Sequence, residues 1–383
     1  MKILVLNAWS SSLKYQLFDM VNDSVIIKGN IERVWVKDSS IKNHTQALKI
    51  IVDELVTAGH ALFTINGIGH RVVHGGEYFK NPVIIDEVVI QRIEECSDLA
   101  PLHNPVNLEV IMACKQLMPE MKQIAVFDTA FHQTMEPAHY LYALPMKYYD
   151  KYKIRRYGFH GISHQYVYEQ LLTNYKLRIA NSKQPEKVIT CHVGNGVSIA
   201  AIKEGKVVET SMGMTPLEWA MMGTRSGNID PAIITYLINH EHLTSQQIDD
   251  VLNKQSGLLG VSGVSADMRE ILDWCHAQDE RCILTMDMYL NSIVKYIWAY
   301  MALLGGVDCI VLTAWVMERS AFVREKFMAK LWWLGIVLDS STNDFSAGAH
   351  SISASDSSVK VVVIPTNEEL MIAQATYTLL SSS

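Results

Sequence analysis

Apolar and polar positions follow two rhythms along this chain. Ile3 to Leu6 form an apolar run that breaks at Asn7 into a polar stretch around Ser10–Ser12, then resumes as alternating Leu13, Tyr15 and Leu17. An apolar run on one side of a short polar break and alternation on the other predict a β-hairpin, Lys2–Leu6 with Leu13–Phe18. Over Gln46–Ala58 the rhythm becomes helical, with Ala47, Ile50, Ile51 and Leu55 on one face. Further strands are predicted at Ile68–Val73, Gln123–Phe127, Lys187–Cys191, Val197–Ile202, Val207–Glu209, Cys309–Thr313 and Val359–Ile364. Helices are predicted over Asn107–Met118, from Ser163 to about Lys176, and around 231–241, 245–254, 267–277 and 284–304. A capping box from Thr366 to Glu369 opens a C-terminal helix. Strands alternating with helices make an α/β architecture.

At 383 residues the chain exceeds what one core usually supports, so two domains are expected. The stretch from Ile3 to Ser12 and that from Val188 to Ser198 both read strand, small polar turn, strand. That repeat predicts a duplicated fold with a nucleotide between its halves, phosphates clamped by backbone N–H groups and hydroxyls. No G-x-x-x-x-G-K-[ST] occurs, and no G-x-G-x-x-G opens a helix after the first strand, which disfavours P-loop and dinucleotide folds.

With 49% hydrophobic residues, 19% charged residues and a formal charge of −7, the chain reads as an ordinary globular protein that does not bind nucleic acid. Phosphate chemistry must then rest on local cations. Six cysteines without C-x-x-C spacing read as reduced thiols of a cytoplasmic protein. The apolar stretch Tyr296–Met317 is split by Gly305-Gly306 and Asp308 into pieces too short to span a membrane. Ser340–Ser358 reads as a polar surface loop.

Several residues carry candidate chemistry. Asn7, the serines and Lys14 suit phosphate oxygens and a hard metal ion, although Trp9 stands where a phosphate turn would want glycine. Gly194-Asn195-Gly196 is either a hairpin turn or a place where positive φ lets backbone approach a ligand. Arg225, between Gly223 and Gly227, is either a solvated cation or an anion fork. Arg71 ends a strand, where site residues of such sheets lie. Asp128 and His160 each admit a structural role as readily as a catalytic one. Glu368 either complements a helix dipole or ligates Mg²⁺.

Together these motifs resemble one family almost end to end: the acetokinases of the acetate and sugar kinase/actin-like superfamily. The resemblance rests on Asn7–Lys14, Gly69–Glu77, Leu99–Asn107, Arg155–His164, His192–Ser198, Ser256–Arg269, Thr313–Ser320 and Pro365–Glu369, and above all on Phe-Asp-Thr-Ala-Phe-His-Gln-Thr and Met-Met-Gly-Thr-Arg-Ser-Gly. It implies two actin-like (ribonuclease H-like) α/β domains with an interdomain active-site cleft. The first would be 1–133 plus 369–383, the second a nucleotide-binding and dimerisation domain over 134–368. The implied reaction is reversible, Mg²⁺-dependent transfer of the ATP γ-phosphate to acetate, giving acetyl phosphate and ADP, with Mn²⁺ as an alternative ion and a homodimer as the working form.

By matching motif, the resemblance assigns Asn7 and Glu368 to the metal and Asp128, His160 and Arg225 to catalysis. Arg71 would bind the carboxylate, with Val73, Leu102, Phe159 and Pro216 around its methyl group. Lys14, His192, Val193, Gly194, Asn195, Gly196, Asp267, Met268, Arg269 and the run Trp315, Val316, Met317, Glu318, Arg319 would contact the nucleotide. A carboxylate ionised at neutral pH needs no strong base; the difficulty is bringing one anion to another.

Trp9, Trp219 and Trp315 depart from glycines of the family pattern, and Met317, Arg319, Asn228 and Ile162 depart from it too. Tryptophan in a glycine conformation is strained, and an indole fills space a phosphate or adenine needs, so weakened nucleotide binding is expected. Propionate phosphorylation and a degenerate, poorly active paralogue are the alternative functions.

Overall fold

The computed structural model describes residues 1–36, 38–174, 184–344 and 348–382. The chain divides into two units, each with a six-stranded sheet. Met1–Gln133, Phe159–Tyr166 and Asn367–Ser383 form the first; Thr134–Gly158 and Val167–Thr366 form the second. Phe159–Tyr166, which the sequence reading places in the second domain, belongs to the first for a packing reason. Ile162 joins the core of Ile3, Val5, Ile124 and Val126, and Asp128 binds the backbones of His160 and Gly161.

The first sheet comprises β1 (Lys2–Trp9), β2 (Ser12–Asp19), β3 (Ser24–Glu32), β4 (Gly67–Val72), β5 (Val83–Ile84) and β6 (Gln123–Phe127), in the order β3-β2-β1-β4-β6-β5. β1 pairs antiparallel with β2 and parallel with β4, and β4 pairs parallel with β6. Alternation along β1 sends Leu4 and Leu6 toward helices His44–Thr57 and Asn104–Leu117. It sends Ile3 and Val5 toward helix Glu368–Ser381. A strand covered on both faces reads as an unbroken apolar run, as Ile3–Leu6 does. β3, mostly exposed, has no such run and escaped the sequence reading.

The second sheet comprises β7 (Lys187–Val193), β8 (Val197–Lys203), β9 (Lys206–Thr210), β10 (Cys309–Thr313), β11 (His350–Ser351) and β12 (Lys360–Val363), in the order β11-β12-β10-β7-β8-β9. β7 pairs antiparallel with β8 and parallel with β10; β10 pairs parallel with β12, and β11 is an antiparallel edge. Read from the meander end, the two sheets have the same order and directions, with β1, β2, β3 answering β7, β8, β9. The expected duplication is therefore one of whole sheets, not only of their first turns.

Four local expectations change. The turn after β1 needs no glycine, because Trp9 stays paired with Ser12 and no residue from Trp9 to Ser12 has positive φ. Asn367, not Thr366, caps the C-terminal helix: its side chain accepts from the Leu370 N–H at 3.0 Å. Ser163 lies inside helix Gly161–Thr173 rather than capping it; the expected end at Lys176 falls outside the described residues. Within Ser340–Ser358, where 345–347 are likewise outside them, β11 and the fully buried Ile352 belong to the fold rather than to a surface loop. Helix Glu280–Leu304 ends at Gly305, φ 63, and among the described residues no helix is long and apolar enough to cross a membrane.

Candidate functional site

In the first unit the chemistry gathers where β1, β4 and β6 end. Arg71, 3% exposed, donates from Nη2 to Asp128 Oδ2 at 2.8 Å. Its Nε and Nη1 are buried without a hydrogen-bond partner among the described residues, as is Asp128 Oδ1. Burial opposes the charge on Arg71, but Asp128, Glu368 and Glu369 outweigh it and raise its pKa. The result is a fixed cation with two unused in-plane donors, the form that takes a carboxylate.

Asp128 also organises the chain opposite. Oδ2 accepts the His160 N–H at 3.1 Å and its carbonyl accepts the Gly161 N–H at 2.8 Å. A Cβ at Gly161 would come within 2.3 Å of that carbonyl, so glycine is required there. His160 sits at φ 57, a left-handed conformation that costs energy and aims the ring. Its Nδ1 lies 3.9 Å from Glu368 Oε1. Asn7 donates Nδ2–H to Glu369 Oε1 at 3.2 Å, leaving Asn7 Oδ1 buried and unpartnered among the described residues. An orphaned amide oxygen and nearby carboxylates are hard donors, so these residues fit a hard divalent cation.

Three residues beneath the site escaped the sequence reading. Asn107 Oδ1 accepts the Val73 N–H at 3.1 Å and Asn104 Oδ1 the His74 N–H at 3.0 Å, while Asn104 Nδ2 donates to the His74 carbonyl. His132 Nε2 donates to the Phe159 carbonyl at 3.0 Å, and burial lowers its pKa to about 4, so the ring is neutral. All three lie inside stretches that carry the family resemblance, and that was their one sequence signal. Val73 and Phe159 are buried, Lys14 is exposed beside Asn7 in register, and Leu102 is 66% exposed. Leu102 sits in the turn before helix Asn104–Leu117.

In the second unit the turn after β7 meets the segment after β10. Gly194, Asn195, Gly223, Asp267, Met268, Trp315 and Val316 line one narrow cavity of about 10 Å³. Gly194 and Gly196 do not have positive φ, so of the two alternatives it is the hairpin turn that the backbone adopts. A Cβ at Gly194 would stand 3.6 Å from Ala314 Cβ, an ordinary contact, so the fold does not itself demand glycine there. Glu318 Oε1 accepts from the Ala314 and Thr366 N–H groups at 2.7 and 2.9 Å. Buried Arg324, also missed, donates to the Met317 and Glu318 carbonyls and holds the segment in place. His192, Val193 and Met317 are buried, and Arg269 pairs with Asp267, whose pKa that hydrogen bonding lowers. Among the described residues the Arg225 guanidinium finds only the Pro216 carbonyl at 3.4 Å and Met222 Sδ at 3.7 Å, and burial lowers its pKa. A desolvated cation without a carboxylate partner among the described residues suits an incoming anion.

The tryptophans behave differently from one another. Trp9 and Trp315 have no positive φ, so the expected backbone strain is absent at both. Strain falls instead on Trp219, φ 112, and on Ala314, φ 65 and ψ 166. Trp219 is buried against Tyr296, and its backbone exchanges hydrogen bonds with Asn228. Trp9 lays its ring 4.4 Å from the Arg71 guanidinium carbon. Trp315, 41% exposed, lies under Arg269 at 5.2 Å and borders the cavity.

The model of the acetokinase family matches residues 2–374. An acetate kinase from Treponema denticola is 49% identical over 99% of this chain and 100% of its own length. A crystal structure of Porphyromonas gingivalis acetate kinase superposes with a TM-score of 0.92 at 44% identity, covering 99% of each chain. One of a Francisella tularensis propionate kinase gives 0.91 at 39% identity, covering 98% of this chain and 99% of that one.

Proposed function

This chain belongs to the acetokinase family, and we propose that it is an acetate kinase, transferring the ATP γ-phosphoryl group reversibly to acetate. An acetate oxygen attacks the γ-phosphorus, the bond from phosphorus to the ADP oxygen breaks, and acetyl phosphate and ADP result; no proton changes hands. The observation that carries the reading is Arg71, buried and charged, with two free N–H donors beside Asp128. Arg71 binds the carboxylate, Val73 and Phe159 give its methyl group an apolar wall, and His160, held by Asp128, donates to charge that develops on the phosphoryl oxygens. Arg225 and the His192–Gly196 turn take phosphates, and Asp267–Arg269 with Trp315–Arg319 take the nucleoside. A divalent cation, Mg²⁺ in our reading, would neutralise phosphate charge when held through Asn7 Oδ1 and Glu368.

A coupled assay of ADP release with acetate, propionate and butyrate tests the reading. Acetate should give the highest kcat/KM; a higher value for propionate would favour the second reading, which the propionate kinase likeness supports. Arg71→Leu should lower kcat/KM for acetate at least a hundredfold, since a buried charge-assisted pair is lost. We further propose a cytoplasmic homodimer. Helix Ala232–Glu241 in the second unit buries none of its residues and exposes Ile233 and Tyr236 one turn apart, a face suited to a second copy.

A further inference from the structure

We propose that Trp9 is itself a carboxylate-binding residue: its indole N–H joins a free N–H group of Arg71, and its ring holds that guanidinium in place. The inference rests on the acetate-kinase reading and concerns which groups hold its acyl substrate.

The argument begins with the sheet. β1 and β4 run parallel with Leu6 opposite His70. Alternation then places Asn7, Trp9 and Arg71 on one face. The end of β1 is tightly held: His44 Nε2 donates to the Trp9 carbonyl at 2.8 Å, and Asn107 Nδ2 to the Ala8 carbonyl at 3.3 Å. The ring of Trp9 covers one face of the guanidinium, its centre 4.4 Å from the central carbon. A ring over the guanidinium carbon leaves the N–H groups at the guanidinium edge able to bond. Nη2 donates to Asp128; Nε and Nη1 have no partner among the described residues.

The indole Nε1 is likewise buried and unpartnered among the described residues. Buried N–H donors are almost always paired, so unpaired ones on two side chains packed together point to an incoming acceptor. Nε and Nη1 lie on different edges of the guanidinium, so one carboxylate, with about four lone-pair sites, takes the indole N–H together with one of them. Glycine at position 9 would supply neither the donor nor the stacking face. Trp9 therefore acts on the acyl substrate rather than obstructing a phosphate turn.

Trp9→Phe separates the two contributions, because it keeps an aromatic face and removes the N–H; Trp9→Gly removes both. For Trp9→Phe we expect KM for acetate to rise about tenfold, the loss of one hydrogen bond to a charged group, with KM for Mg-ATP changed less than about twofold. Trp9→Gly should raise KM for acetate further and also lower kcat, as the guanidinium is released. Acetate added without nucleotide should change the tryptophan emission of the wild-type protein, and Trp9→Phe should abolish that change. The proposal is overturned if Trp9→Phe keeps the wild-type KM for acetate, or if the effect falls on Mg-ATP instead. It is also overturned if acetate leaves wild-type emission unaltered, a readout that needs no variant to fold. A wild-type protein that binds acetate with an emission change but releases no ADP would refute the acetate-kinase reading while leaving Trp9 as a carboxylate ligand.

Discussion

The single residues that matter most are those held in costly states. Ala314, at φ 65 and ψ 166, occupies a region almost reserved for glycine, where a side chain costs on the order of 1–3 kcal/mol. Ala314→Gly should therefore raise stability by about 1 kcal/mol, seen as a melting temperature about 2 °C higher; an unchanged or lower value would show the conformation to be unstrained. Next to it, Trp315 borders a cavity of about 10 Å³, room for a water molecule but not a nucleobase. Trp315→Gly is expected to lower KM for Mg-ATP severalfold with KM for acetate unchanged, and equal nucleotide KM in both proteins would dismiss the indole as an obstacle. The motifs made Trp315 visible in the sequence. The strain on Ala314 was not visible, since backbone dihedrals follow from how β10 and helix Trp315–Arg319 are joined.

At the scale of elements, helix Asn104–Leu117 does two tasks. Its apolar face packs on the first sheet through Val110, Ile111 and Cys114, and its first turn holds the Val73–His74 backbone with two asparagines. Asn104→Ala would strand the N–H and carbonyl of His74 in a buried place, so we expect a loss of about 2–3 kcal/mol in urea unfolding. KM for acetate should rise with it, because Val73 and Arg71 share that loop; destabilisation with an unaltered KM would limit Asn104 to folding. The helix itself was legible from its period. Its functional asparagines were not, because a polar residue in a first helical turn is ordinary until its distant partner is known.

Across the whole molecule, buried histidines set the response to acid. His70 and His132 are fully buried, and burial lowers each pKa from 6.5 to about 4. Between those values the unfolded chain binds protons that the folded chain refuses, so stability falls as pH drops from about 6.5 to about 4 and is unaffected by these groups above that window. The loss approaches about 3 kcal/mol for each histidine. Urea midpoints measured from pH 7 to 4 should show this slope, and His70→Gln should flatten it. All six cysteines are free and buried, so no disulfide offsets the loss.

What the amino-acid sequence determined by itself were the properties written in local order: the apolar runs, the doubled strand-turn-strand pattern, and motifs long enough to mark the family. These depend on neighbours in the chain, and neighbours are what a sequence shows. Only the tertiary structure decided that Phe159–Tyr166 packs with the first sheet, that Asn367 rather than Thr366 caps the last helix, and that the Trp9 ring lies against the Arg71 guanidinium. The first and last of these rest on partners tens to hundreds of residues away, and the cap on which of two adjacent side chains reaches the Leu370 N–H; burial then makes every unpaired donor count. Glycine seemed necessary at position 9 because turns often need positive φ; the paired strands made this turn without it, and the indole found its place on a cation.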